Sequence, residues 1–333
     1  MKQLASGKIS AEDMARANDL LSRVHAIFNG RVVGQKALST ALITSLIARG
    51  HVLLESVPGL AKTTAAVTLA GATSGTFARI QCTPDLMPND IVGTQIYSYE
   101  TGQFSTQLGP VHANMVLMDE INRSSAKTQS AMLESMQERQ TSIGGTIYKL
   151  PDPFMVMATQ NPIEEEGTYV LPEAQMDRFL MKEVLTYPTP EEEISILTKT
   201  AEDSFGSPDG VEPISTADVV FLQETSRKVY VDDAIKAYIV ALINTTRGGG
   251  PRPLKDFSKH VRVGSSPRGG LAFLQIGQAL ALQEGRTYVI PDDIRKLRYP
   301  ILRHRLVRTY DALANDIAPE TLIDAVFNAV PTP

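Results

Sequence analysis

A lysine and a threonine that follow a short loop are the first residues in this chain that could do chemistry. The loop, 56–61, comes after the apolar run 52–54, and Lys62 and Thr63 then open a segment rich in helix-forming residues. A strand, a loop and a helix in this order gather backbone N–H groups and the positive end of a helix dipole around one point, which favours an anion. Lys62 would reach the β- and γ-phosphates of a nucleotide, and the Thr63 hydroxyl would bind Mg²⁺.

The loop matches the phosphate-binding loop of nucleotide hydrolases imperfectly. That loop usually has glycine at the positions where this chain has Ser56 and Ala61. By itself the stretch fits an ordinary strand-turn-helix corner equally well. Other parts of the chain must therefore decide between the two interpretations.

Two adjacent carboxylates supply the second half of such a site. Asp119 and Glu120 end the apolar run 114–118, which has the profile of a buried parallel strand. Because ligands bind at the carboxyl ends of parallel strands, these acids and the loop before Lys62 can share one crevice. Asp119 would hold Mg²⁺ through water, and Glu120 would orient or deprotonate the attacking water. The alternative is that the two acids only cap the next helix.

Composition narrows the class of protein. The chain has 333 residues, of which 43% are apolar and 21% charged, a net charge of −5 and a single cysteine, Cys82. Such a chain is an ordinary globular protein large enough for two domains, without an internal disulfide and without a general reason to bind nucleic acid. No apolar run approaches the ~20 residues of a membrane span, and residues 1–19 lack the apolar centre of a signal peptide. We therefore expect a cytoplasmic protein.

The pattern of elements predicts an α/β fold for the first half of the chain. Strand patterns near 52–55, 77–81, 114–119 and 154–159 alternate with helical patterns, which indicates a mostly parallel sheet up to about Tyr187. Stretches 91–111 and 141–150 interrupt this alternation, and each is predicted to form a β-hairpin.

A change of pattern at Pro188 predicts a domain boundary. Thr189 can cap a helix, Pro190 suits its first position, and the glutamates at 191–193 complement its dipole. Almost everything that follows is helical in pattern, and 248–253 is a flexible break. We therefore divide the chain into an α/β core with N-terminal helices at 1–188 and an all-α domain at 189–333.

The segment 118–140 resembles the Walker B region of the MoxR family of AAA+ ATPases nearly position by position. Segments 158–162 and 171–179 resemble that family's sensor 1 and arginine-finger regions, and 57–63 resembles its Walker A loop, in which alanine before the lysine is usual. Ser56 remains a departure, since the family usually has glycine there. The resemblance runs from about 32 to about 326, and it implies an AAA+ parallel-sheet core with β-hairpin insertions followed by an all-α lid.

The resemblance implies ATP and Mg²⁺ as cofactors and assigns binding residues by their position in this chain. The adenine pocket would be lined by Val33, Gly34 and Gln35. The phosphates would be held by Pro58, Gly59, Leu60, Ala61, Lys62, Thr63 and Thr64. Thr63 and Asp119 would also hold the Mg²⁺ ion.

Five residues have implied roles in catalysis or subunit contact. Glu120 would act on the attacking water, and Asn161 would sense the γ-phosphate and help to place that water; the alternative for Asn161 is a turn residue before a proline. Arg178 would be the arginine finger that reaches a neighbouring subunit's site, although an Asp-Arg pair is more often a surface ion pair. Arg268 matches sensor 2, in cis or in trans. Arg123 is equally explained as a subunit contact.

Two features have open roles. The hairpins resemble the helix-2 and pre-sensor-1 insertions of relatives of this family, which in assembled rings could touch a client; the alternative is a surface hairpin without a special role. The basic stretch 295–308 could bind nucleic acid or an acidic partner, but a charged face between helices or at a subunit contact is favoured.

The implied function is ATP hydrolysis by a homo-oligomeric ring, expected to be a hexamer, that remodels or matures client proteins, often with a partner carrying a von Willebrand factor A domain. A nucleotide-binding scaffold with little turnover stays open; Ser56 favours it mildly, and the intact Glu120, Asn161 and Arg178 oppose it. A nucleic-acid remodeller is the second alternative, although the net charge of −5 counts against it. Because Ser56 adds bulk where the loop turns before the phosphates, we expect Ser56→Gly to leave ATP affinity equal or to improve it.

Overall fold

Parallel strands form the central sheet of the computed structural model, which describes residues 8–162, 169, 171–206, 208–250, 254 and 257–333. The strands of the core are, in chain order, β1 (Val52–Glu55), β2 (Phe77–Gln81), β3 (Gly93–Ser98), β4 (Gln103–Leu108), β5 (Met115–Asp119), β6 (Gln140–Ile143), β7 (Thr146–Lys149), β8 (Met155–Gln160) and β9 (Met181–Val184). The central sheet has the order β2-β5-β8-β1-β9, and all neighbouring pairs are parallel. The predicted parallel sheet is confirmed, with β9 as an edge strand that the sequence pattern does not predict.

The register of the sheet brings the predicted site strands to one edge. Gln81 pairs with Asp119 between β2 and β5, and Leu54 pairs with Thr159 between β1 and β8. Residues 115–118 are fully buried, as expected for a central parallel strand that helices cover on both faces. The carboxyl ends of β1, β2, β5 and β8 therefore lie side by side.

Helices cover both faces of this sheet. They are α1 (Ala11–Arg31), α2 (Lys36–Ile47), α3 (Lys62–Ala72), α4 (Pro88–Val92), α5 (Ala126–Glu138) and α6 (Glu173–Met176). Ser10 caps α1 by accepting the Asp13 N–H at 2.9 Å, as its sequence predicts. The buried apolar residues form two clusters. One includes residues of α1, α2 and α3, and the other includes residues of α4 and α5.

The predicted hairpins are present as β3–β4 and β6–β7, both antiparallel. The prediction of a hairpin over 91–111 is wrong at both ends: residues 91–92 end α4, and Pro110–His112 form a short 3-10 helix. Pro88 suits the start of a helix, and the Asp90 carboxylate accepts the Met87 N–H at 2.8 Å, so a helical turn forms before Gly93 begins the strand.

The second half of the chain is helical, as predicted for a lid. Its helices are α7 (Pro190–Ala201), α8 (Thr216–Lys228), α9 (Asp233–Thr245), α10 (Phe257–His260), α11 (Pro267–Gln283), α12 (Pro291–Lys296), α13 (Arg298–Leu302), α14 (Tyr310–Ala314) and α15 (Pro319–Ala329). Four of these helices begin with a capping residue whose side chain accepts a hydrogen bond from a backbone N–H group in the first turn. The capping residues are Thr189, Ser215, Asp232 and Ser266. A short antiparallel ribbon, β10 (Val261–Val263) with β11 (Val307–Arg308), interrupts the helices. The predicted break at 248–253 lies partly outside the described residues.

The basic stretch 295–308 is taken up by contacts within the protein. Lys296 bonds to Glu284, Arg298 to Asp324, Arg303 to Glu320, Arg305 to Asp177, and Arg308 to the Ile317 carbonyl. These pairs form a charged face between elements of the protein. The sequence favours this interpretation over a nucleic-acid surface.

An apolar joint connects the lid to the core. Helix α2 packs against α8 and α11, and the apolar cluster that starts at α1 continues through these lid helices without a gap. The Gln223 side chain donates to the Leu46 carbonyl at 2.8 Å inside this joint. Of the helices that the structure describes, none combines the length and the apolar character that crossing a membrane requires.

Candidate active site

The loop before α3 has the backbone that an anion site requires. Gly59 has φ +86°, and a Cβ placed there would meet nothing within 4 Å, so this part of the loop faces open space. Ala61 lies in the left-handed region with φ +55° and leads directly into Lys62 at the start of α3. The first N–H groups of a helix have no partner within it, and Lys62, Thr63 and Thr64, which begin α3, border that space.

Ser56 holds the lysine of this loop. The buried Ser56 hydroxyl accepts a bond of 2.7 Å from Lys62 Nζ and donates to the Val57 carbonyl. Ser56 does not lie in the left-handed region, so the backbone at this position does not need glycine. Burial lowers the pKa of Lys62, and the carboxylates of Asp119 and Glu120 oppose that effect.

The two predicted carboxylates lie at the end of β5 and are held by neighbouring strands. Asp119 Oδ1 accepts from Thr159 Oγ1 at 2.7 Å, and Asp119 Oδ2 pairs with Arg79 Nη2 at 2.6 Å. Glu120 Oε2 accepts from Gln81 Nε2 at 3.1 Å. These contacts fix the carboxylates at the edge of the sheet.

Glu120 has an unusual backbone. Its φ is +58°, in the left-handed region that residues with a Cβ rarely adopt, and its N–H donates to Thr159 Oγ1 at 2.8 Å. Arg123 Nε lies 3.3 Å from Glu120 Oε2. A backbone outlier that neighbouring contacts maintain is a feature of functional positions.

One cavity unites these groups. Its volume is about 480 Å³, and we call it the phosphate cavity; it is lined by Pro58, Gly59, Leu60, Ala61, Lys62, Thr63, Thr64, Arg79, Gln81, Asp119, Glu120, Thr159 and Asn161. A space of this size is typical of ligand sites. Arg79, Gln81 and Thr159 are not among the site residues predicted from the sequence. The available signal is their position at the carboxyl ends of the predicted strands 77–81 and 154–159.

The residues present fit a triphosphate with a divalent cation. Helix N–H groups and Lys62 offer donors to phosphate oxygens, while Thr63 and Asp119 offer two oxygen ligands of the type that Mg²⁺ prefers. No group of three or more His, Cys, Asp or Glu side chains that could hold a metal occurs in the described part of the chain. Mg²⁺ bound beside substrate phosphates usually takes only one or two protein ligands, and two are available here.

A second cavity, of about 440 Å³, adjoins the first through Ala61 and Thr64. Val33 lines it together with Arg31, Val32, Ile196 and Phe205. Gly34 and Gln35 are not among its lining residues. Gly34, with φ +70°, lies against Glu192 of α7, and the buried Gln35 side chain donates to the Thr186 carbonyl at 3.5 Å. The lid residues Ile196 and Phe205 are not predicted from sequence, because only the fold brings them beside Val33.

The two predicted catalytic arginines do not line the phosphate cavity. Arg178 and Arg268 lie together around a cavity of about 190 Å³ between core and lid, which we call the arginine cavity; it is lined by His51, Met136, Gln137, Asp177, Arg178, Leu180, Arg268, Leu271, Gln275 and Arg305. Arg178 Nε is buried and has no hydrogen-bond partner among the described residues. Arg268 Nη1 lies 3.8 Å from Asp177 Oδ2. Glu120 and Asn161 therefore share a cavity with Lys62, whereas the arginines occupy a separate one.

Comparisons with known proteins agree with this architecture. Residues 51–181 match the family described as ATPase family associated with various cellular activities (AAA), and residues 256–326 match the AAA lid domain. The chain is similar to Chaperone MoxR1 of Mycobacterium tuberculosis, with 48% identity over 95% of this chain and 85% of that protein. It is also similar to Protein MoxR of Methylorubrum extorquens, with 30% identity over 91% and 92% of the two chains.

A solved structure matches nearly the whole fold. The crystal structure of a protein from Cytophaga hutchinsonii, solved as a candidate ATPase, superposes with a TM-score of 0.90 at 39% identity and covers 97% of each chain. The matches extend over both the α/β core and the helical lid, at identities too high to reflect a shared fold alone. The chain belongs to the MoxR family of AAA+ ATPases.

Proposed function

We propose that this chain hydrolyses ATP to ADP and phosphate and that Mg²⁺ is required. The observation that carries this proposal is the phosphate cavity, in which Lys62 and Thr63 face Asp119, Glu120 and Asn161. A phosphate-binding loop alone would support nucleotide binding. Acidic and amide groups at the ends of two neighbouring strands add what is needed to place and activate a water molecule.

Five side chains of the phosphate cavity then have assigned tasks: Lys62, Thr63, Asp119, Glu120 and Asn161. The N–H groups that begin α3 and the Lys62 ammonium bind phosphate oxygens and offset their charge. Thr63 and Asp119 would hold Mg²⁺, which when bound draws charge from the phosphates. Glu120 orients the attacking water and takes its proton, and Asn161 aligns that water with the γ-phosphate.

The separation of the two cavities supports a site shared between subunits. Arg178 does not line the phosphate cavity of its own chain, although its family position implies contact with the γ-phosphate. We propose that it reaches the cavity of a neighbouring copy in a homo-oligomeric ring, which we expect to be a hexamer.

The wider role we propose is remodelling or maturation of client proteins. The relative from Mycobacterium tuberculosis bears the name of a chaperone. Exposed aromatic side chains, Tyr99 and Phe104, at the β3–β4 hairpin offer a surface that could touch a client. A partner with a von Willebrand factor A domain is part of this proposal. We also propose a cytoplasmic location, which the free and buried Cys82 supports.

Glu120→Gln tests the assigned chemistry. The variant keeps the size of the side chain and removes the base, so we expect ATP hydrolysis to fall by about a hundredfold or more while ATP still binds. Steady-state phosphate release and the affinity for a fluorescent ATP analogue are the two measurements. Glu224→Gln on the exposed face of α8 is the matched control. Unchanged hydrolysis in Glu120→Gln would refute the proposed role. Loss of ATP binding would show that Glu120 contributes to nucleotide recognition instead of catalysis.

A further inference from the structure

A single carboxylate joins the core to the lid beside Arg178. Asp177 follows α6 in the core, and its side chain is only 15% exposed. Asp177 Oδ1 accepts from Arg305 Nε at 2.8 Å, and Oδ2 accepts from Ser266 Oγ at 2.7 Å. Both donors belong to the lid, so the two oxygens of one core residue bind two separate lid segments.

The bond to Ser266 reaches the helix that carries Arg268. Ser266 is the N-cap of α11, and its Oγ accepts the Arg268 N–H at 3.1 Å while donating to Asp177. The first turn of α11 is therefore positioned relative to Asp177. Arg178, the next residue in the chain, is placed by the same short core segment.

Arg305 is the second lid residue that Asp177 binds, and we call the contacts of Asp177 with Ser266 and Arg305 the junction. Its side chain is 2% exposed, and besides Asp177 it donates to the carbonyls of Phe179, Leu180 and Ile301. Burial lowers the pKa of Arg305 to about 10, and the Asp177 charge opposes that effect. A guanidinium so deeply buried depends on its counter-charge. Asp177 therefore holds a cation that in turn holds the backbone after Arg178.

We infer that Asp177 is a positioning residue that fixes Arg178 of the core and Arg268 of the lid relative to each other. A displacement of the lid is then passed to Arg178 through Ser266 and Arg305. The consequence for hydrolysis rests on the proposed ATPase function, whereas the coupling between core and lid is a property of the nucleotide-free protein. The apolar joint between α2, α8 and α11 holds the lid in place independently of Asp177.

The test is to change one side of the junction and to measure the other. Asp177→Asn keeps the shape of the side chain and removes its charge. Hydrogen exchange of the nucleotide-free protein is expected to rise about tenfold at the amides of 268–270, across the junction in the lid. The matched control is Arg262→Gln, which removes an exposed ion pair of 2.7 Å between the same two regions, Arg262 and Glu173. We expect the control to exchange like the wild type.

A reciprocal variant covers the case in which Asp177→Asn does not fold. Ser266→Ala keeps the ion pair between Asp177 and Arg305. For this variant, hydrogen exchange is measured in the core, at the amides of residues 178–180. Loss of a helix cap alone would change only α11, so faster exchange in the core supports the coupling. Wild-type exchange across the junction in each variant that folds would overturn the inference, as would an equal increase in Arg262→Gln.

Kinetics give the second measurement. For Asp177→Asn we expect kcat about tenfold lower or more, with KM for ATP within about twofold, because the nucleotide contacts at 58–64 are untouched. Stoichiometric binding of a fluorescent ATP analogue shows that the variant is fully folded, which separates positioning from loss of active protein. A wild type without ATPase activity would refute the proposed function, while the exchange experiment would still decide the coupling.

Discussion

The phosphate cavity and the arginine cavity differ in how their parts are held. The phosphate cavity is formed by the loop before α3 and the ends of β2, β5 and β8, all fixed by one hydrogen-bonded sheet. The arginine cavity lies between core and lid, and its arginines come from both. A site on one sheet has a constant geometry, whereas a site between two domains changes with their relative position. If the proposed function holds, nucleotide binding and completion of catalysis are expected to be separable in this protein.

Arg178→Ala is the strongest test of that separation. Because the arginine cavity is expected to serve a neighbouring subunit, kcat should fall by about a thousandfold while ATP binding is kept. Mixing Arg178→Ala subunits with Glu120→Gln subunits should restore part of the hydrolysis, since an intact phosphate cavity meets an intact arginine wherever the two kinds of subunit are neighbours in the required order. Phosphate release by the mixture is the measurement. Full activity of isolated monomers would contradict a shared site.

Lys62→Ala tests the other cavity. The ammonium lies inside the phosphate cavity, so its loss should weaken ATP binding by about a hundredfold and leave subunit assembly unchanged. Fluorescent-nucleotide binding and sedimentation measure the two properties. Lys236→Ala, on the exposed surface of α9, is the control. Equal ATP affinity in Lys62→Ala would remove the phosphate contact from the mechanism.

A buried carboxylate at the core–lid border gives a third test. Burial raises the pKa of Glu183 from 4.5 to about 7, and Arg303 opposes that shift. The folded protein then binds this proton more tightly than the unfolded chain, so the stability falls as pH rises from about 4.5 to 7. Glu183→Gln should remove roughly 3 kcal/mol of this fall. Denaturant unfolding at pH 5 and pH 8 measures it, with Glu224→Gln as control. An unchanged difference between the two pH values would contradict the assignment.

Ser56→Gly is expected to have the smallest effect. The Ser56 hydroxyl competes with phosphate for Lys62 Nζ, so its removal should leave ATP affinity equal or improve it by about threefold. Titration with a fluorescent ATP analogue measures the change. A clear loss of affinity would show that the serine orients Lys62 for the phosphates.

The site could be predicted where one segment of sequence carries both the element and the chemistry. Glu120 and Asn161 follow apolar strands, so the sequence locates them at the edge of the sheet. The position of Arg79 and Gln81 near the end of a predicted strand was the available signal, but their contacts with Asp119 and Glu120 depend on the pairing of β2 with β5, which are separated by more than thirty residues. Phe205 lines the cavity beside Val33 only because the lid folds back onto the core.

The same distinction explains the fold. Capping residues such as Ser10, Thr189 and Ser215 act within one turn, and the helices that they begin were predictable. Strand β9 has four residues and gains its order from pairing with β1, a contact between distant segments. Residues 91–92 have a strand-like composition, and a local cap at Asp90 outweighs it. The division at 188–189 stays a prediction.

The left-handed backbone of Glu120 costs stability at a position that is assigned to catalysis. Glycine would relieve a conformational cost of about 1 kcal/mol at φ +58°. A selection for thermal resistance alone would therefore favour Glu120→Gly, and it would discard the carboxylate assigned to water activation. Engineering of this protein for robustness should hold position 120 constant, because the substitution that best suits its backbone is one that removes its chemistry.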